Sequence, residues 1–136
     1  MPNDCWNNLT ITSHNDPDEL DNLIQNEFKH LDQNGEYVYN ETIEPIVRGR
    51  RGIRVILTTS WSPDFEWLEG LLTKYPSCWI KNEWSEEGGF AGVWVGCING
   101  NEKEIKHLEW DDICIEGKHE YFYNNRNNEE LDEEHK

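Results

Sequence analysis

The residues best suited to chemistry are His107, Glu109 and Asp111, which alternate along the chain. On an extended strand, alternate side chains share one face, so an imidazole and two carboxylates would converge there. Such a donor set suits zinc or manganese. Any exposed polar strand produces the same alternation, and a turn at Asp111 would abolish the shared face. The expectation is therefore that no metal and no cofactor is needed. Arg48, Arg50, Arg51 and Arg54 form the one concentrated positive patch. They are a candidate clamp for phosphate or an acidic partner, because guanidinium forks pair well with such groups. Neutralising nearby carboxylates is the simpler use for them. Nucleophilic catalysis has little to stand on: there is no G-x-S-x-G elbow and no glycine-rich phosphate loop before a helix. Cys5, Cys78, Cys97 and Cys114 are widely spaced and form no C-x-x-C pair, so they read as reduced, packed thiols. No catalytic residue stands out, and the chain reads as a non-enzyme.

The carboxylates themselves are the stronger candidate. Lys and Arg number 12 against 28 Asp and Glu, a formal charge of −16. Solubility of a small domain needs a net charge of only about 2–8 in magnitude. Glu83, Glu86 and Glu87 lie with Trp84 around an expected hairpin, while Glu109, Asp111, Asp112 and Glu116 surround Trp110. Carboxylates along a rigid edge can occupy the phosphate sites of a DNA-binding protein, with aromatics as anchors. Plain solvation explains most acidic runs equally well. The field repels phosphates and anionic membranes, so direct nucleic-acid or membrane binding is disfavoured. The partner this charge selects is a basic host protein, itself a nucleic-acid binder, and the chain is expected as a monomer or small homo-oligomer. No stretch approaches the ~20 apolar residues of a membrane span. Met1-Pro2-Asn3-Asp4-Cys5 has neither part of a signal peptide, so a cytoplasmic location is expected, in the host cell if the protein is viral.

The elements that must position these groups follow from periodicity. Residues 8–13 alternate as a first strand. Asp16 and Pro17 start a helix over 16–33, capped by Asp16 with Glu19 reaching back. Its buried stripe is Leu20, Leu23, Ile24, Phe28 and Leu31, and Gly35 ends it in a left-handed conformation. Residues 36–50 read as a long connection, and residues 51–60 as a strand. Ser62 and Pro63 start a second helix over 62–75. Strands follow over 78–84 and 90–98, joined by Glu86-Glu87-Gly88-Gly89, then over 104–110, with further strand expected at 113–115 and 121–123. One domain spans 1–123, and 124–136 is an acidic, flexible tail. The class is α+β: a two-layer, ferredoxin-like split β-α-β fold, with two helices on one face of an antiparallel sheet and an extra C-terminal strand-rich segment. The open sheet face should carry exposed aromatics, serving as a protein-binding patch or covered by the C-terminal segment.

Three ordered blocks resemble a known family. They are Met1-Pro2-Asn3-Asp4-Cys5-Trp6-Asn7-Asn8-Leu9-Thr10-Ile11, then Thr59-Ser60-Trp61-Ser62-Pro63 with Leu71 and Tyr75-Pro76, then Glu86-Glu87-Gly88-Gly89-Phe90-Ala91-Gly92. Together they are similar to the YubB ferredoxin-like domain family, with Asp4 where members carry an aromatic before the cysteine. The resemblance implies a ferredoxin-like fold and carriage by plasmids or bacteriophages, and transfers no catalytic residue. With the charge, it leads to an acidic protein that inhibits a host nuclease or defence complex, of anti-CRISPR or anti-restriction type, by nucleic-acid mimicry. The alternatives are a metal-dependent or other small-molecule enzyme, and an oligomeric accessory or structural protein.

Overall fold

The computed structural model describes residues 3–111. Its elements are β1 (Asp4–Thr12), α1 (Pro17–Leu23), a π-helical turn (Ile24–Phe28), β2 (Lys29–Leu31), β3 (Tyr37–Tyr39), β4 (Ile43–Arg48), β5 (Gly52–Ser60), α2 (Phe65–Lys74), β6 (Trp79–Glu86), β7 (Ala91–Asn99) and β8 (Glu102–Glu109). Six strands form one sheet in the order β4-β5-β1-β6-β7-β8, and β2 pairs with β3 apart from it. Every neighbouring pair is antiparallel, so β1 and β4 run parallel with β5 inserted between them. That is the split β-α-β plan, completed by β6 on the other side of β1. Strands β7 and β8 extend it as a meander. The α+β, ferredoxin-like expectation holds. Among the described residues no helix is long and apolar enough to cross a membrane.

Strand β1 shows why the layers separate. Cys5, Asn7, Leu9 and Ile11 are buried, while Trp6, Asn8, Thr10 and Thr12 face the other way. Leu20 and Leu23 of α1 and Leu68, Leu71 and Leu72 of α2 pack on the buried side with Ile53, Val55, Ile80 and Trp94. Burying a side chain of this size contributes roughly 1.5–3 kcal/mol. Asn7 and Asn82 are among the polar side chains buried in this layer: Asn7 Nδ2 donates to Leu57 O at 2.9 Å and Thr59 Oγ1 at 3.0 Å, and Asn7 Oδ1 accepts from Asn82 Nδ2 at 2.9 Å.

Several boundaries differ from the sequence reading for local reasons. The first helix, expected over 16–33, is regular only to Leu23. It then widens into the π-helical turn, which keeps Ile24 and Phe28 buried. Lys29 is already extended, and residues 29–31 pair with 37–39, leaving Leu31 exposed rather than in the stripe. Gly35 is left-handed, as expected, but in the turn of that hairpin (φ +80°). Asp16 caps α1 by accepting from Glu19 N at 3.2 Å. Glu19 does not reach back; it accepts from Ser77 N at 2.7 Å and ties the helix to the start of β6. The expected connection over 36–50 contains β3 and β4. Pro45 hid β4, yet β4 is an edge strand with a register shift between Pro45 and Val47, where a missing donor is tolerated. Helix α2 is capped by Asp64, which accepts from Trp67 N at 3.0 Å, so Ser62 and Pro63 precede the helix. The expected strands at 113–115 and 121–123 and the tail over 124–136 lie outside the described residues.

Gly92 lies where β7 meets both β8 and Trp84. A Cβ there would sit 2.7 Å from Leu108 O and 2.9 Å from the Trp84 ring. Because backbone is one of the two obstacles, Gly92→Ala is expected to destabilise the fold by about 1–3 kcal/mol in urea unfolding. An unchanged midpoint would mean that β8 can slide to make room.

Candidate functional site

The register brings one set of strand ends together. Asp4 lies opposite Ser60, Cys5 opposite Glu86, and Gly92 opposite Glu109. The start of β1, the ends of β5 and β8, and the β6–β7 turn therefore share one end of the sheet. Trp6, Trp61, Phe90 and Trp110 are exposed there at 44%, 57%, 70% and 55%. Asp4, Glu87, Glu109 and Asp111 surround them, and Glu83, paired with Lys81 at 3.5 Å, borders the group. The segments that meet at this end, 3–6, 58–61, 84–92 and 108–111, contain no Lys or Arg. Shallow depressions of about 320 Å³ and about 260 Å³ meet at Ala91 and Trp110, the first reaching Asn8 and Glu83, the second Phe90 and Asp111.

Local structure holds these rings in place. Trp61 has a positive φ of 70°, with Ser62 N donating to Ser60 O at 2.8 Å across it, a γ-turn of the strained hand. Its own N–H donates to Asn3 O at 2.8 Å, and Thr59 Oγ1 donates to Ser62 O at 2.7 Å. A bulky residue in this conformation costs about 1–3 kcal/mol, so its neighbours must hold it there. Glu86 organises the adjacent turn. Its buried carboxylate accepts from Asn3 Nδ2 at 2.6 Å and from Gly88 N at 2.8 Å, while Glu87 accepts from Asp4 N at 2.6 Å.

Of the acidic residues singled out in the sequence, Glu83, Glu87, Glu109 and Asp111 gather here with Trp110. Glu86 is at the same end, but it is a buried turn staple and not a surface charge. Trp84 points to the helix layer, its ring centroid 6.4 Å from Phe65 and 5.9 Å from His107, because neighbouring strand residues face opposite sides. Asp112 and Glu116 lie outside the described residues. Trp6, Trp61 and Phe90 were not assigned to this surface from sequence. Their signal is proximity to strand ends, which becomes a shared patch only once the register is known.

The other candidates separate. His107 lies opposite Trp94 on the helix-bearing side, with its ring 4.8 Å from Phe65. Asp111 follows the strand in a helical turn, so the three potential ligands do not share a face. No group of three metal-binding side chains occurs among the described residues. Arg48 contacts Asp21 and Gly49 O, and Arg51 donates to His14 O at 2.8 Å. Arg50 is exposed in the β4–β5 turn and Arg54 faces the open side of the sheet, so the four make no clamp. Burial pushes the Cys5 thiol up, and that of Cys78 up to about 11, which suits packing and not nucleophilic attack.

Cys78 supplies a pH test. Its folded value exceeds the ordinary 9.0, so the stabilisation from the neutral buried thiol is complete below pH 9 and lost as pH rises through about 11. Thermal melts should fall across that window, and Cys78→Ala should make the fall shallower. Equal slopes for the two proteins would exclude this thiol as a contributor.

Comparison with known proteins places this geometry in a family. The family model described as the ferredoxin-like domain in Api92-like protein matches residues 38–136, from within β3 through the end of the chain. No curated protein and no solved structure matches significantly. The strand order, the split β-α-β core and a match over more than half of the sequence agree: the chain belongs to the family of ferredoxin-like domains found in Api92-like proteins.

Proposed function

We propose that this chain is a non-enzymatic binding protein that docks its acidic, aromatic end on a basic host protein and blocks that protein's nucleic-acid site. The observation that carries the reading is the composition of one end of the sheet. Four exposed aromatics stand among carboxylates, and the segments forming that end hold no cation. Aromatic anchors within a polar rim are the composition of binding hot spots. Carboxylates on rigid strand ends fall where a cationic channel would otherwise take phosphates, and the same field speeds encounter with that channel. The resemblance of the three sequence blocks to the YubB group supports a plasmid or phage origin. In that setting the partner is a host nuclease or defence complex, and the activity is of anti-CRISPR or anti-restriction type. A cytoplasmic site of action goes with that reading.

The test uses the tagged full chain to capture its partner from host lysate, followed by purified binding measurements. Affinity should fall steeply as salt is raised, duplex DNA should displace the chain, and Trp110→Ala or Trp6→Ala should each weaken binding by about 30-fold, the ~2 kcal/mol of a hot-spot residue. Salt-insensitive binding, or a ternary complex with DNA, would sink the proposal.

A further inference from the structure

The sequence contains Asn34-Gly35 and Asn99-Gly100, and the structure puts both pairs at hairpin turns. A glycine after asparagine favours attack of its backbone nitrogen on the side-chain amide, because no Cβ crowds the closing ring and the backbone turns freely. Both asparagines are exposed, so access to water does not separate them. Their restraints do. Asn99 is the last residue of β7, opposite Glu102, and its Nδ2 donates to Glu104 Oε1 at 3.0 Å. Asn34 lies between β2 and β3, where its backbone N–H donates to Asp32 Oδ1 at 2.8 Å and its side-chain amide is held by no described residue. Gly35, left-handed at φ +80°, donates one turn hydrogen bond to Asp32 O at 3.1 Å.

We propose that Asn34 is a site of spontaneous deamidation, and that Glu104 protects Asn99 from the same reaction. The Gly35 nitrogen, its proton lost to hydroxide, bonds to Asn34 Cγ. The bond from Cγ to the side-chain nitrogen breaks and ammonia leaves. Water then opens the cyclic imide at either carbonyl, giving aspartate or isoaspartate, so the net exchange is a water in and an ammonia out. Closure must free Gly35 N from Asp32 O, and local opening at the tip of an exposed hairpin requires little free energy. At Asn99 the amide must also leave a charged acceptor, Glu104, which is enough to slow the step about tenfold. Isoaspartate carries the main chain through Cβ and Cγ and lengthens it. Asp32 brackets that link: its Oδ1 accepts from Asn34 N at 2.8 Å and Glu36 N at 2.9 Å, and its N–H donates to Glu36 O at 2.8 Å. Strands β2 and β3 share three residue pairs, a ladder too short to hold once its turn is altered. Modification therefore loosens this hairpin and leaves the six-stranded sheet, to which it does not pair, intact.

The folded full chain, held for days at mildly alkaline pH, tests this by peptide mass, with isoaspartate identified by its enzymatic methylation. Acid should accumulate at residue 34 about tenfold faster than at residue 99, the ratio set by the Glu104 hydrogen bond. The rate at residue 34 should rise with pH, because the attacking nitrogen must lose its proton. Glu104→Ala should raise the rate at residue 99 towards that at residue 34, and in urea the gap between the two sites should narrow sharply. Amide exchange over residues 29–39 should be faster in the modified fraction, with that of β1 unchanged. No gain of acid at residue 34, or equal rates at the two sites in the folded chain, would overturn the assignment. A gap that persists in urea, or a residue 99 indifferent to Glu104→Ala, would overturn the protective role of Glu104, and unchanged hairpin exchange would overturn the structural consequence.

Discussion

Everything in this fold depends on the register of the central strand β1. It is laddered on both edges, to β5 and to β6, and its side chains alternate strictly between a helix-covered face and an open one. Side chains in a strand repeat every two residues, so a slip of one position would exchange Leu9 and Ile11 for Asn8 and Thr10 in the core. Asn7 guards against that slip. Its amide reaches Leu57 O and Thr59 Oγ1 on β5 and accepts from Asn82 Nδ2 on β6, tying both neighbours from a buried position. A shifted register would strand those polar groups away from water.

The same register decides which charged and aromatic groups meet at the strand ends. Once Asp4 faces Ser60 and Cys5 faces Glu86, the β6–β7 turn and the end of β8 arrive at the same end of the sheet. Arg48, Arg50 and Arg51 belong to the β4–β5 turn at the opposite end, beside the start of α1 and its Asp21. Glu86 illustrates the division of labour among carboxylates. Buried and doubly hydrogen-bonded, it shapes the turn, and its neighbour Glu87 ties that turn to β1. One acidic dipeptide thus provides the frame on which Phe90 and Trp110 are displayed.

Misreadings of the sequence cluster where tertiary contacts override local pattern. A helical stripe extended through Leu31 because apolar spacing alone cannot register a π-helical turn followed by an extended pair. Residues 36–50 read as a connection, yet Pro45 is accommodated in a strand because an edge position with a register shift tolerates its missing donor. Trp84 was read as a surface anchor beside Glu83, although alternation alone puts one of the two on each side. The choice of side came from Phe65 and His107, which are far from it in sequence.

Local chemistry alone made several features legible: the Asp16 cap, the left-handed Gly35, the β6–β7 hairpin, the two-layer α+β class and the acidic excess. Each depends on residues a few positions apart or on composition, so nothing distant was needed to read them. The candidate site is different. Trp6, Trp61, Phe90 and Trp110 are spread over more than a hundred residues, and only antiparallel pairing gathers them with Glu87 and Glu109. Charge could be counted from the sequence. The grouping of part of it with exposed aromatics at one end of the sheet was decided by strand order, because pairing across edges joins positions that no local pattern connects.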